Sequence, residues 1–242
     1  MIEITDLHKR LGGRQILAGL TLTVPQGMNF VLMGPSGTGK SVTLKHVIGI
    51  LAPDQGSVKV DGQEVSAMDR TQLMTLRKRM GYLFQNGALI NWLSVADNVA
   101  LPLQEHSKLT KGEVQDRVHE VLRLVGMDHA AHQFPPSISG GMKLRTGLAR
   151  ALVTKPEYVL YDEPNAGLDP IISHQIHELI VEVRDTLGVT GLLVTHSRAC
   201  ATICGDRIGI LEQGRLAVEG TVDELIHSDH PLAKAFLGGG SD

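Results

Sequence analysis

Short apolar runs alternate with polar, helix-forming segments along most of the chain. Residues 2–7 and 16–24 have the apolar spacing of strands in a small sheet, and residues 28–33 form an apolar run that ends at a glycine-rich turn. Further short apolar runs lie at residues 80–84, 158–161, 191–195 and 207–211. Apolar strands separated by helical segments are typical of a parallel sheet covered by helices. The pattern therefore predicts an α/β fold.

The strand pattern stops between residues 85 and 156. Apolar residues recur there at helical spacing from Val114 to Val125, behind a capping box that begins at Thr110. This segment is therefore predicted to be a helical insertion that interrupts the sheet. A second capping box begins at Thr221 and predicts the start of the last helix.

The composition limits the classes of function. A chain of 242 residues that is 42% apolar can bury a core, and its net charge of −3 offers no broad basic face for nucleic acid. The basic cluster at residues 77–79 is interpreted as solvated helix surface. Cys200 and Cys204 are spaced for one face of a helical turn and are interpreted as buried side chains in a reducing compartment. The chain shows neither a signal peptide nor a bilayer-spanning apolar run, so a cytoplasmic protein is expected.

A glycine-rich turn separates the apolar run at residues 28–33 from a helical pattern over residues 40–50. The turn matches the spacing G-x-x-x-x-G-K-[ST] with Gly34, Pro35, Ser36, Gly37, Thr38, Gly39, Lys40 and Ser41. Between a strand and a helix, backbone N–H groups and the positive end of the helix dipole bind phosphate groups. Lys40 is expected to neutralise the β- and γ-phosphates, and Ser41 to ligate Mg²⁺. The flanking strand and helix disfavour the alternative of an ordinary glycine turn with a surface lysine.

Two consecutive carboxylates follow the apolar run at residues 158–161. Asp162 is expected in the coordination sphere of the metal, and Glu163 is expected to polarise the attacking water. Acidic pairs are common at strand ends, so this pair is informative only together with the phosphate loop. The two features together predict hydrolysis of a nucleotide.

The order of the motifs resembles that of ABC ATPases over essentially the whole chain. After the phosphate loop come Gln85, then Ile138-Ser139-Gly140-Gly141-Met142, the acidic pair, Gly167-Leu168-Asp169 and His196. The resemblance implies a P-loop NTPase with a RecA-like parallel-sheet core, an N-terminal antiparallel β subdomain and an inserted α-helical subdomain. It implies a single ABC ATPase domain over residues 1–242. Residues 1–88 and 157–242 would form the nucleotide-binding core, and residues 89–156 the helical insertion that carries the signature motif.

The resemblance also implies roles for the later motifs. In a head-to-tail pair of subunits, ATP and Mg²⁺ would lie between the phosphate loop of one subunit and Ser139, Gly140 and Gly141 of the other. Gln85 would contact the metal and the water and link the insertion to the core. His196 would contact the γ-phosphate as a catalytic residue beside Glu163, Gln85 and Lys40, and Asp169 would cross the dimer interface.

Each of these later residues also has a purely structural interpretation. Gln85 is then a loop amide, and Asp169 a cap for the helix that starts at Pro170. His196 is a hydrogen-bonded histidine at a strand end. The order of the motifs favours the functional interpretation of all three.

The chain departs from the family where adenine usually stacks on an aromatic residue. Arg10-Leu11-Gly12 stands before the first glycine turn, and Leu11 offers an apolar contact without a π-face. Leu11 or a neighbour is therefore expected to contact adenine, with weaker or less selective recognition of the base.

The stretch after Gln85 resembles one subfamily. Residues 83–89 and 97–106, together with Met142 in the signature, are similar to the Mla-type phospholipid-transport ATPases that serve MCE-protein systems. Because this stretch would receive a permease helix, subfamily differences are expected there. The alternative is that Gly87-Ala88-Leu89 only packs the insertion.

The subfamily resemblance implies a lipid-transport ATPase at the cytoplasmic face of the inner membrane. Its partners would be a second ATPase subunit, a transmembrane permease and an MCE-type lipid-binding protein, with no nucleic acid. The alternatives are another importer or exporter ATPase, a soluble ABC protein that acts on DNA or ribosomes, and a cassette without turnover. The chain lacks the long coiled coil or tandem cassette of the soluble class, and Lys40, Asp162, Glu163 and His196 disfavour the last.

Overall fold

A computed structural model describes residues 1–238, so residues 239–242 of the predicted domain lie outside the described residues. The strands are β1 (Ile2–Leu11), β2 (Arg14–Val24), β3 (Asn29–Met33), β4 (Gln55–Val60), β5 (Gln63–Glu64), β6 (Met80–Leu83), β7 (Tyr158–Asp162), β8 (Thr190–Thr195), β9 (Arg207–Glu212) and β10 (Arg215–Gly220). The helices are α1 (Lys40–Val47), α2 (Arg70–Lys78), α3 (Val95–His106), α4 (Lys111–Leu124), α5 (Gly140–Leu152), α6 (Pro170–Leu187), α7 (Arg198–Cys204), α8 (Val222–Ile226) and α9 (Pro231–Leu237). The α/β prediction is confirmed.

The strands form two sheets. The smaller one is antiparallel with the order β2-β1-β4-β5, and the larger one has the order β10-β9-β3-β8-β7-β6. In the larger sheet only β10 runs antiparallel to its neighbour. The predicted strands at residues 2–7, 16–24 and 28–33 correspond to β1, β2 and β3, so the antiparallel sheet beside a parallel core is confirmed as well.

Alternate residues of β3 pack into two different cores. Phe30 and Leu32 belong to the cluster under the antiparallel sheet and α1, while Val31 and Met33 belong to the cluster under the other helices. All four are fully buried. A strand covered on both faces reads as a continuous apolar run, which is why β3 was recognisable in the sequence.

Only helices and short 3₁₀ turns lie between β6 and β7 in the described residues. The capping box is present at the start of α4, where Thr110 accepts from the Glu113 N–H and Glu113 accepts from the Thr110 N–H. Helix α5 packs against α3, α4 and β6, so the insertion rests directly on the parallel sheet. No helix in the described part of the chain is long and apolar enough to cross a membrane.

The prediction that the last helix starts after Thr221 is wrong. The capping box at Thr221 does begin α8, but α8 is only 5 residues long and α9 follows it. Pro231 occupies the first turn of α9, where the missing N–H costs nothing, and His230 caps that turn. Strands β4, β5 and β10 and helix α2 were also absent from the sequence prediction.

The two cysteines are buried on α7, as predicted, and carry free thiols. In the basic cluster, Arg77 donates to the carbonyls of Ile48 and Gly49. Arg79 pairs with Glu157 and Asp61. Both guanidinium groups therefore bind other parts of the same protein at its surface.

Candidate active site

The carboxyl ends of four parallel strands meet at one edge of the larger sheet. In the strand register, Met33 of β3 lies beside Thr195 of β8, and Val194 lies beside Asp162 of β7. Strand β6 ends beside β7 at Leu83, two residues before Gln85. Loops that leave such an edge are where α/β proteins bind ligands. Residues predicted from distant parts of the sequence therefore converge here.

Glycines of the phosphate loop have a backbone that other residues rarely adopt. Gly34 has a φ of 150°, and a Cβ atom there would lie 2.5 Å from the carbonyl oxygen of Leu211. Gly39 has a φ of 107°, and a Cβ atom there would lie 2.7 Å from a methyl group of Leu17. Both glycines are therefore required by the path of the loop between β3 and α1.

We expect Gly34→Ala to lose nucleotide binding and to lower the free energy of unfolding. A positive φ alone costs an L-residue about 1–2 kcal/mol, and the added methyl group would also displace the backbone at Leu211. Nucleotide titration and urea unfolding would measure the two effects.

Gly27→Ala is the matched control for Gly34→Ala. Gly27 has a φ of 73° and lies outside the phosphate loop, and a Cβ atom added there would have no other atom within 4 Å. This control should lose stability from backbone strain and retain nucleotide binding. Full nucleotide affinity in Gly34→Ala would contradict the requirement for glycine.

Lys40 is almost completely enclosed, with 6% of its surface exposed. Its Nζ donates to the carbonyls of Gly34 at 2.8 Å and Pro35 at 3.0 Å, and lies 3.7 Å from Oε1 of Glu163. Burial lowers the pKa of Lys40, while the negative charge of Glu163 opposes that shift. The phosphate loop therefore holds the ammonium group in place. This group is predicted to bind the phosphates of a nucleotide.

The carboxylate of Asp162 has a different donor at each oxygen. Ser41 Oγ donates to Oδ1 at 2.7 Å, and the Tyr82 hydroxyl donates to Oδ2 at 3.0 Å. The predicted metal pair Ser41 and Asp162 is thus in direct contact. Sequence reasoning missed Tyr82, because nothing in its strand distinguishes it from a half-buried packing residue.

Glu163 lies directly after β7 in a left-handed backbone conformation, with a φ of 48°. Its N–H donates to the carbonyl of Val194 at 2.9 Å, which holds this backbone in place. Its side chain is 16% exposed, and its Oε2 lies 3.0 Å from Nδ1 of His196. Strained, partly buried residues with charged partners concentrate at functional sites.

A cleft of about 360 Å³ lies between the phosphate loop, Gln85, Glu163 and His196. The predicted residues that line it are Ser36, Gly37, Gly39, Lys40, Ser41, Gln85, Glu163 and His196. Ile16, Val42 and Ala166 line it as well, although no pattern in the sequence pointed to them. Leu11 lies outside this lining, at the hairpin end of β1, and Ile16 is the apolar side chain of the neighbouring strand that reaches the cleft.

The segment after Gln85 is fastened to helix α5. Arg150 donates to the carbonyls of Gly87 at 2.7 Å and Ala88 at 2.9 Å. Gly87 has a φ of 76°, and a Cβ atom there would lie 2.4 Å from the carbonyl oxygen of Lys143. Gly87 therefore does pack the insertion, and this packing connects the cleft to the helix that begins with the signature motif.

The signature motif and Asp169 lie side by side and away from this cleft. Ser139 caps α5, and Gly141 is so close to Ile172 of α6 that a Cβ atom would lie 2.5 Å from its methyl group. Asp169 caps α6 by accepting from the N–H groups of Ile171 and Ile172, each at 3.0 Å. Asp169 therefore has the helix-capping role of its structural interpretation. None of these residues lines the same cleft as Lys40.

The oxygen groups of the cleft suit Mg²⁺. Mg²⁺ favours oxygen ligands and commonly takes one or two protein groups together with phosphate oxygens and water. Ser41 and Asp162 supply such groups, and Gln85 lines the same cleft. Within residues 1–238, no three His, Cys, Asp or Glu side chains cluster to hold a metal by themselves. Phosphate oxygens of a bound nucleotide and water would supply the other ligands of Mg²⁺ here.

The sequence matches known proteins over its whole length. A model of the ABC transporter family matches residues 17–166. The probable ribonucleotide transport ATP-binding protein mkl of Mycobacterium tuberculosis is 42% identical over 98% of this chain. This chain spans only 66% of the length of that mycobacterial relative. The intermembrane phospholipid transport system ATP-binding protein MlaF of Escherichia coli is 38% identical over 100% of this chain and 90% of its own length.

A solved structure agrees with the sequence matches. The dimeric post-hydrolysis state of an ATP-binding cassette bound to ADP and Pi superposes with a TM-score of 0.82. It is 29% identical in sequence and covers 91% of this chain and 98% of its own. The predicted P-loop NTPase fold is thereby confirmed, as are ATP with Mg²⁺ as the ligands typical of such cassettes. This chain belongs to the ABC transporter family and is one of its ATPase cassettes.

Proposed function

We propose that this chain drives phospholipid transport by hydrolysing ATP as one of a pair of cassettes bound to a membrane permease. The observation that carries the ATPase part is the contact between Lys40, Glu163 and His196 in a cleft that begins at the phosphate loop. The phospholipid part is supported by the match to the Escherichia coli phospholipid-transport protein over all of this chain.

In the proposed reaction, Lys40 and the loop N–H groups bind the phosphates while Glu163 orients water for in-line attack on the γ-phosphate. Bound Mg²⁺ neutralises charge on the phosphate oxygens, and Ser41, Asp162 and Gln85 would hold it. His196 lies against Glu163 and would contact the γ-phosphate from the end of β8. Release of the products would then reopen the site.

The pairing of cassettes follows from the separation of the two glycine-rich segments. Ser139 caps α5, and Gly140 and Gly141 begin it close to Leu168 and Ile172, outside the lining of the cleft of the same chain. If these residues bind ATP, as the family resemblance implies, that ATP would be the one held by another subunit, and the similar solved cassette is a dimer. We therefore propose a head-to-tail homodimer in which Asp169 crosses the interface.

The proposed permease surface surrounds the segment after Gln85. Trp92 is 79% exposed and Phe84 is 44% exposed, so both large apolar side chains are available to a partner. A separate groove of about 650 Å³ lies between the end of α2, the helices α3 and α4, and residues 153–155. A permease helix in this groove would contact both subdomains and would respond to their relative movement. We also propose residues 1–88 and 157–242 as the nucleotide-binding core and residues 89–156 as the helical insertion that carries the signature motif.

The remaining proposed partner is an MCE-type lipid-binding protein, and no nucleic acid is involved. The proposed location is the cytoplasmic face of the inner membrane. The match to the mycobacterial ribonucleotide transport protein gives a second candidate, a ribonucleotide transporter. The two candidates differ in the permease, in the accessory protein and in the transported molecule.

Purification of the tagged chain from its native membrane tests both candidates. We expect a polytopic permease, an MCE-type protein and bound phospholipid, identified by mass spectrometry. Trp92→Glu should reduce recovery of the permease, because a charge would be buried against an apolar partner. Ile50→Glu, at another exposed apolar position (58% exposed), is the control. Recovery of a permease with ribonucleotides or amino acids, and without phospholipid, would refute the lipid proposal.

A further inference from the structure

The two oxygens of the Asp162 carboxylate face different parts of the protein. Oδ1 accepts a hydrogen bond from Ser41 on the side of the phosphate loop. Oδ2 accepts one from the hydroxyl of Tyr82, which stands on the neighbouring strand β6. With both bonds made, the plane of the carboxylate cannot rotate without losing a partner. Tyr82 thus leaves Oδ1 on the side of Ser41, which lines the cleft.

Tyr82 is itself held on its other side. Its ring stacks on Phe84, with the ring centroids 4.2 Å apart and the planes tilted by 33°. The Tyr82 hydroxyl is the donor in this contact, because an ionised carboxylate can only accept. Phe84 directly precedes Gln85, so the same stacked pair joins the carboxylate to the proposed permease surface.

We propose that Tyr82 is a positioning residue for the metal site: it orients the Asp162 carboxylate so that Oδ1 serves Mg²⁺ together with Ser41. The inference rests on the proposed Mg²⁺·ATP site. Hydrogen bonds from an outer group to a carboxylate that serves a metal orient that ligand, and their loss typically weakens metal binding. Without the hydroxyl, Oδ2 would face a half-buried space with no donor, and the carboxylate could turn toward other partners.

The neighbouring strand offers a matched control. Tyr161 directly precedes Asp162 and is fully buried, yet its hydroxyl has no hydrogen-bond partner among the described residues. Tyr161→Phe removes the same atom from the same region of the sheet without removing a bond to Asp162. A difference in Mg²⁺ affinity between the two Tyr→Phe variants therefore reports the hydrogen bond from Tyr82 to Asp162. It does not report the loss of a tyrosine hydroxyl from the sheet in general.

The test is Mg²⁺ titration of the purified full chain in the presence of a saturating, fluorescent, non-hydrolysable ATP analogue. We expect Tyr82→Phe to weaken Mg²⁺ binding roughly 10-fold, and Tyr161→Phe to leave it unchanged. Affinity for the analogue in EDTA should be the same in all three proteins, because the phosphate loop is untouched. In an Asp162→Ala background, Tyr82→Phe should have no further effect.

Equal Mg²⁺ affinities in Tyr82→Phe and the unsubstituted protein would overturn the positioning role while leaving the proposed ATPase intact. An equal loss in both Tyr→Phe variants, or a loss that persists without Asp162, would also overturn it, because packing would then be the cause. Failure of the unsubstituted protein to show any Mg²⁺-dependent binding would instead overturn the metal site and the proposed function with it.

Discussion

Glu163→Gln is expected to abolish steady-state phosphate release while ATP binding persists. A positioned general base contributes roughly 10²–10⁴-fold to rate, so turnover should fall by about that factor. The amide keeps the size of the side chain and the strained backbone at φ 48°, so the fold should be unaffected. Removal of a negative charge that lies 3.7 Å from Lys40 should also favour the bound triphosphate. We therefore expect an ATP-dependent dimer to accumulate.

Two measurements on the same protein check this expectation. Phosphate release reports turnover, and size-exclusion chromatography with and without ATP reports pairing of the subunits. Glu178→Gln is the control, because Glu178 is exposed on α6, outside the cleft, and pairs with His174 of the same helix. Hydrolysis at the unsubstituted rate in Glu163→Gln would remove Glu163 from the reaction. Loss of ATP binding would instead indicate a role in binding.

Lys40→Met is expected to remove ATP binding without reducing the stability of the nucleotide-free protein. Burial lowers the pKa of Lys40, so folding disfavours its charged form relative to the unfolded chain. This sign means that the charged ammonium opposes folding at neutral pH, and that the penalty disappears as pH rises toward the ordinary pKa of lysine. This cost in folding free energy comes from burying a cation at the place where phosphate is expected to bind. A methionine of similar length removes both the buried charge and the affinity for ATP.

Thermal unfolding separates the two effects. ATP at 100 times its Kd stabilises a protein by about 2.7 kcal/mol, which corresponds to roughly 5–10 °C for a chain of this size. We expect this shift in the unsubstituted protein and in Lys45→Ala, whose side chain is exposed on the same helix. Lys40→Met should unfold at no lower temperature without nucleotide and should show no shift. A full ATP shift in Lys40→Met would contradict the assigned role of Lys40.

Helices and strands differ in how well local sequence patterns predicted them. The capping boxes at Thr110 and Thr221 form as predicted, because each involves only residues three positions apart. Strand β10 has partly buried positions and only a weak apolar pattern, and it is a strand because β9 pairs with it. Helix α9 depends on a proline and a histidine cap that carry little signal in a single sequence.

The sequence by itself determined the nucleotide chemistry of this protein. The phosphate loop with its flanking strand and helix is one contiguous segment, and Asp162 and Glu163 are another, so covalent spacing already places the groups within each segment close together. The order of the later motifs then indicated the family, which the comparisons confirmed. The individual roles of Gln85, His196 and Asp169 stay predictions.

Only the tertiary structure decided which groups meet across the sheet. The bond from Tyr82 to Asp162 joins residues 80 positions apart, and the left-handed backbone of Glu163 depends on a hydrogen bond to β8. The position of Ile16 in the lining of the cleft likewise depends on how the antiparallel sheet lies against the phosphate loop, while the adenine contact of Leu11 stays a prediction. Such contacts follow from strand register and sheet packing, which are set by many weak interactions over the whole chain and leave no local pattern in the sequence.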